Sequence, residues 1–200
     1  MKLNNLCRLL SLVILLMCSV ILPIREVMSA EHARVKTLVI VSHPHPESSV
    51  MIKGLQQAAN TVPGVTVRNL ETLYGFDTRS ISSDEERRLI QENERIVFLF
   101  PTHWFNITPM MKAWLNETWG NVGPDLWKGK EMLIVTTAAG DESTYGINGR
   151  TGINLADMFT PMKASALHAG MTWLPPLTFQ SVSRSKLPEY QRQLIERLTQ

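Results

Sequence analysis

The stretch Lys36-Thr37-Leu38-Val39-Ile40-Val41-Ser42-His43-Pro44-His45-Pro46-Glu47-Ser48-Ser49 decides how the chain folds. Its first six residues, Lys36–Val41, run into four consecutive apolar side chains and are rich in β-branched ones. That is the pattern of a strand buried on both faces, and half-exposed strands alternate instead. The next eight are prolines, histidines, serines and one glutamate, which do not continue such a strand. Beyond them, Ser49–Asn60 has helical spacing, with Ile52, Leu55 and Ala59 on one side. A buried strand, a polar loop and an amphipathic helix make the first half of a parallel crossover unit.

The pattern then repeats. Pro63-Gly64 turns the chain into a strand at Val65–Leu70, and Ser82 or Ser83 caps a helix running to Glu92 with acids in its first turn. Arg95–Phe100 is a third buried strand, Pro109–Trp119 a helix and Glu131–Thr137 a fourth strand. Ile153–Ala169 reads as a helix, Met171–Gln180 as a fifth strand segment and Pro188–Leu198 as a closing helix. Strand and helix in alternation predict an α/β fold, a doubly wound five-stranded parallel sheet of the flavodoxin-like order. In such sheets ligands sit beyond the strand C-termini, so chemistry is expected in the loops that follow each strand.

Residues 1–30 stand apart from this pattern. Lys2 and Arg8 precede the apolar stretch Leu9–Ile24, followed by small residues at Ser29 and Ala30, the layout of a secretory leader or an N-terminal anchor. The competing reading takes Met28 as the start of a cytoplasmic protein. Residues 31–200 form the one folded domain. The formal net charge is +2, and Lys2, Arg8 and Arg25 against Glu26 account for all of it. The balanced remainder argues against nucleic acid as a partner. Both cysteines, Cys7 and Cys18, precede the domain, which excludes disulfides and thiol nucleophiles within it.

Three loops carry the candidate chemistry. After the first strand, His43 and Ser49 sit where a helix N-terminus offers free N–H groups to an anion, and both side chains can donate to a phosphate. No GxGxxG accompanies them, so a Rossmann dinucleotide grip is not expected. The His43-x-His45 pair lacks the cysteines or acids that would complete a metal set. After the third strand, Thr102, His103, Trp104 and Phe105 place two aromatics at the sheet edge, where they either wall a planar ring or plug the top of the sheet. After the fourth, Thr136, Thr137, Ala138 and Ala139 are small enough to let backbone approach a flat ligand. Tyr145 follows in a long, glycine-bearing connection, as a packing tyrosine or as the best candidate for a catalytic group.

From Val35 to Leu198 the chain resembles the flavodoxin-like NAD(P)H:quinone oxidoreductases, in particular bacterial members similar to the ancillary proteins of glutathione-gated potassium-efflux systems. The resemblance lies in the His43-Pro44 loop ending at Ser49, in Phe100-Pro101 before Trp104-Phe105, and in Pro109 with Lys112 and Trp114. Thr136-Thr137 and Gly170-Met171-Thr172-Trp173-Leu174-Pro175-Pro176 complete it. It implies FMN, alternatively FAD, held by His43 and Ser49 at the phosphate, with residues 102–105 and 136–139 lining the ring. It also implies NAD(P)H as cosubstrate, a quinone-like acceptor, a homodimer and a cytoplasmic location, peripheral at the inner membrane if the chain docks on a transporter as a regulatory subunit. The chain departs from its relatives at Ile52, where an asparagine is frequent, and at Ala138-Ala139, where two glycines are usual.

Overall fold

The computed structural model describes residues 35–119 and 124–200; the leader reading of residues 1–30 lies outside them. Five strand positions form one parallel sheet in the order β2-β1-β3-β4-β5, where β1 is Thr37–Val41, β2 Val65–Asn69, β3 Arg95–Pro101, β4 Glu131–Thr137 and β5 Thr172–Trp173. A further short strand, β6 (Leu177–Phe179), pairs with β4 beyond β5, also in parallel. β1, β3 and β4 are buried along nearly their whole length, as their unbroken apolar runs require.

Helices cover both faces. α1 (Val50–Asn60) and α6 (Leu187–Thr199) pack Ile52, Leu55, Ala59, Leu194 and Leu198 against Val39, Val97 and Val135. The opposite face of the sheet carries α3 (Ser83–Glu92), α4 (Pro109–Trp119) and α5 (Thr160–His168). Their Ile90, Met111, Trp114 and Met162 meet Ile40, Phe98 and Ile134. Each such aliphatic side chain contributes about 1.5–3 kcal/mol of burial. Gly54 lets Leu187 of α6 pack close against α1: a Cβ there would lie 2.6 Å from Leu187 Cδ2.

Three elements differ from the sequence reading. The fifth strand is broken in two, because Pro175 and Pro176 carry no N–H to extend the ladder that Leu174 donates to Met132. The helix expected from Ile153 begins at Thr160; Leu155–Phe159 forms a tighter 3-10 turn, and Pro161 occupies the first turn of α5. The second strand ends at Asn69, one residue early, because the Asn69 side chain caps α2 (Leu70–Tyr74) by accepting from Thr72 N–H at 3.0 Å. Ser82 stands at the N-cap of α3, yet its side chain makes no capping bond.

Candidate functional site

The loops after β1, β3 and β4 converge at the C-terminal edge of the sheet. Ser42 closes β1 by donating its N–H to Leu99 at 3.1 Å, and the chain then turns outward through His43. His43 Nδ1 accepts from His45 N–H at 2.9 Å, which leaves Nε2 as the donor of the ring. Its imidazole meets that of His103 edge to face, with centroids 5.9 Å apart. Burial and then the neighbouring His103 and His45 hold His43 below its ordinary value, so it is neutral at neutral pH.

Ser49 is the N-cap of α1, but its side chain caps nothing. Its Oγ is buried and has no hydrogen-bond partner. An orphaned hydroxyl beside the free N–H groups of an 11-residue helix suits an anionic acceptor. Lys53, one turn further on, lines the same hollow with His43 and Ser49 and anchors its Nζ on the Glu47 carbonyl at 3.0 Å. Sequence reasoning passed over Lys53, although its position four residues after Ser49 puts it on the same side of the helix.

The second loop is a tight reversal. His103 and Asn106 exchange backbone hydrogen bonds of 3.3 and 3.0 Å, and the two residues between them, Trp104 and Phe105, have φ of 48° and 59°. Positive φ at both central positions marks a type I′ turn, which favours Asn-Gly and costs a bulky residue about 1–2 kcal/mol. Trp104 is nevertheless 94% exposed. It does not plug the sheet. Phe105 reaches across to Tyr145, ring centroids 6.1 Å apart, so the second and third loops touch.

Thr102 and Thr136 bind the two loops from beneath. Their hydroxyls are 2.8 Å apart, Thr136 Oγ1 also donates to the Phe100 carbonyl at 2.9 Å, and Thr102 N–H donates to Thr137 at 2.8 Å. Ala138 is buried and gives its N–H to Phe179 at 2.8 Å. The Thr136 hydroxyl, the Thr137 carbonyl and the Ala138 N–H are thus occupied within the fold, whereas Ala139 is exposed at the rim. Gly140 follows under constraint: a Cβ there would lie 2.9 Å from both Thr144 Cβ and Tyr145 Cε2. Burial raises the Tyr145 phenol, which keeps its proton. Arg150 donates to Thr144 Oγ1 at 2.8 Å on the outer side of this connection.

A cleft of about 860 Å³ adjoins the rim between α4 and α5, lined by Trp104, Ile107, Leu115, Trp119 and Met162, with Lys112 at its polar side. Trp114, by contrast, is fully buried core. Among the described residues no group of three or more histidines, cysteines or acids is arranged for a metal, and no helix is long and apolar enough to cross a membrane.

The chain is a doubly wound parallel sheet with an anion-ready helix N-terminus and an aromatic rim at its C-terminal edge, the place where such sheets carry ligands. Residues 35–200 match the family described as flavodoxin-like fold, and the chain belongs to that family. It is 30% identical over 154 residues to general stress protein 14 of Bacillus subtilis (strain 168), covering 74% of this chain and 86% of that protein. To YrkL of the same strain, named an uncharacterized NAD(P)H oxidoreductase, it is 33% identical over 149 residues, 72% of this chain and 84% of the relative. The crystal structure of general stress protein 14 from Treponema denticola, a complex with FMN, is similar at TM-score 0.73 and 25% identity, covering 82% of this chain and 99% of that one.

Proposed function

We propose that the domain binds FMN at this rim and serves as an NAD(P)H oxidoreductase that passes hydride to a quinone-like acceptor. The observation that carries the reading is the pairing of the orphaned Ser49 hydroxyl, on one side of His43, with the strained, exposed Trp104-Phe105 turn on the other. These residues fit a flavin nucleotide: a phosphate wants donors at a helix N-terminus, and a planar tricycle wants an aromatic wall. The FMN complex and the NAD(P)H oxidoreductase name among the relatives support the same cofactor and cosubstrate.

In this reading Ser49 Oγ–H, His43 Nε2–H and the first N–H groups of α1 hold the phosphate, and the Lys53 ammonium adds charge. Trp104 and Phe105 flank the ring, while Ala139 and Gly140 let the backbone come close to its far edge. Thr102, His103, Thr136, Thr137 and Ala138 hold the loops that do so. Bound there, a flavin supplies the two-electron hydride relay that no side chain of this domain offers. Tyr145 keeps an O–H at the rim, against Phe105, as a proton donor to the reduced acceptor. NAD(P)H and acceptor use the same open rim in turn, and the supply of NAD(P)H puts this chemistry in the cytoplasm. The homodimer implied by the resemblance buries the apolar cleft between α4 and α5.

Purified protein should carry or take up FMN and oxidise NADH or NADPH with a benzoquinone; mass analysis of the released cofactor separates FMN from FAD, and light scattering reports the dimer. Colourless protein that no flavin reconstitutes sinks the reading. Flavin binding without NAD(P)H oxidation, together with activation of a potassium-efflux transporter, selects the regulatory reading instead.

A further inference from the structure

Beneath the rim lies a buried polar chain that the proposed chemistry does not use. Ser42 Oγ donates to Glu71 Oε1 at 2.6 Å and is also hydrogen-bonded to Thr108 Oγ1. Because the one Ser42 hydroxyl proton goes to the carboxyl, Thr108 must donate to Ser42, and the chain runs in one direction toward Glu71. All three residues are buried, Ser42 and Thr108 completely. Glu71 Oε2 has no hydrogen-bond partner. A carboxyl left half-satisfied in the interior costs stability, so its presence calls for a reason other than stability.

The three residues sit at the roots of both halves of the site. Ser42 immediately precedes His43 in the phosphate-side loop. Thr108 ends the loop that carries Trp104 and Phe105, and its carbonyl accepts the N–H of Lys112 as α4 begins. Glu71 belongs to α2, which is fixed from the side by Tyr74, whose hydroxyl donates to the buried Glu86 at 2.5 Å. This helix thus presents one carboxyl to the junction of two loops that no strand pairing joins beyond Leu99 and Ser42.

We propose that Glu71 is a positioning residue that sets the spacing between the His43 loop and the Trp104 loop through Ser42 and Thr108. Resting on the flavin reading above, this makes Glu71 the group that registers the phosphate-side grip to the ring-side wall. The His43 backbone N–H also faces the Glu71 carboxyl, so Glu71 acts on the phosphate-side loop both directly and through Ser42, and on the ring-side loop through Thr108; its effect is on cofactor affinity and loop order, not on the hydride step.

The test compares the full chain with its Glu71→Gln, Glu71→Leu and Ser42→Ala variants, reading FMN affinity by flavin fluorescence and backbone hydrogen exchange without ligand. Glu71→Leu and Ser42→Ala should weaken FMN about tenfold, the scale of losing a hydrogen bond to a carboxylate. Both should also raise exchange in residues 43–49 and 102–107 together, with β3 and α6 protected as before. Glu71→Gln keeps an acceptor for Ser42 and should restore both readouts. If Ser42→Ala leaves FMN affinity and both loops unchanged, or if exchange rises in one loop only or throughout the domain, the assignment is overturned. Should Glu71→Leu fail to fold, Ser42→Ala decides the question by the same two readouts. Should the unaltered chain bind no flavin, the flavin reading fails while the exchange comparison still decides whether Glu71 couples the loops.

Discussion

His43 and His103, from the loops after β1 and β3, meet edge to face with ring planes at 69°, so two imidazoles face one another at the rim. Burial first, and then His103 and His45, depress the His43 value from its ordinary 6.5. The unfolded chain therefore takes up this proton before the folded one as pH falls. Folded-state stability from this group is intact above pH 6.5 and is lost as pH drops below it toward the depressed value. Thermal melts of ligand-free protein between neutral pH and pH 5 should show that loss, and His43→Gln should abolish it. His103→Gln should remove only the smaller part, because burial is the larger cause. An anion bound beside His43 favours its charged form, so FMN affinity should rise across the same window.

Glu86 is fully buried. It accepts from Arg68 Nη2 at 2.6 Å, Tyr74 OH at 2.5 Å and Trp114 Nε1 at 2.9 Å, joining α2, β2, α3 and α4. Burial and the adjacent carboxylate push the Tyr74 phenol up to about 12. Glu86→Ala leaves Arg68 with Glu85 alone, at 3.0 Å, and strands the buried indole N–H, and should destabilise by about 1–3 kcal/mol in denaturant titration. Glu86→Gln keeps an acceptor and should cost less. The Tyr74 phenol should titrate lower in the Ala variant, with the part of the rise that burial causes remaining.

Gly140 leaves no room for a side chain. With Tyr145 Cε2 2.9 Å from an added Cβ, Gly140→Ala must push the tyrosine and, through it, Phe105. The expected destabilisation is about 1–3 kcal/mol, the usual cost of overpacking. Turnover with a quinone should fall more steeply than FMN affinity, since Tyr145 lies on the acceptor side of the proposed site. Parallel melts and steady-state kinetics check both.

Trp104 buries almost nothing, being 94% exposed. Trp104→Ala should therefore leave the melting temperature close to that of the parent, a change within about 0.5 kcal/mol. Trp104→Gly should stabilise slightly, because glycine adopts the positive φ of 48° freely. Both should weaken flavin binding and restore emission from any flavin that remains bound, a loss of quenching that fluorescence reads directly.

Residues 36–41, 95–100 and 131–137 disclosed their strands because burial on both faces demands continuous apolar side chains, a local requirement written in consecutive residues. The loop positions were equally legible, since prolines and hydroxyls cannot sit in such strands. His43, Ser49 and the 102–105 and 136–139 segments were thus found as candidates, though not their separate tasks. That Thr136 turns its hydroxyl inward to Phe100 while Ala139 faces out follows from the pairing of β4 with β3 and β6, which residue type alone does not express.

By itself the sequence determined the alternation of elements, the strand order expected of it and the edge of the sheet where a ligand belongs. Only the tertiary structure decided that Trp104 and Phe105 share a left-handed turn, because a Trp-Phe pair has no preference for it and surrounding contacts must impose it. It alone also brought Ser42, Glu71 and Thr108 into one buried chain. Their separations of 29 and 66 residues are closed by parallel crossovers, and no periodicity reports what two crossovers will place side by side.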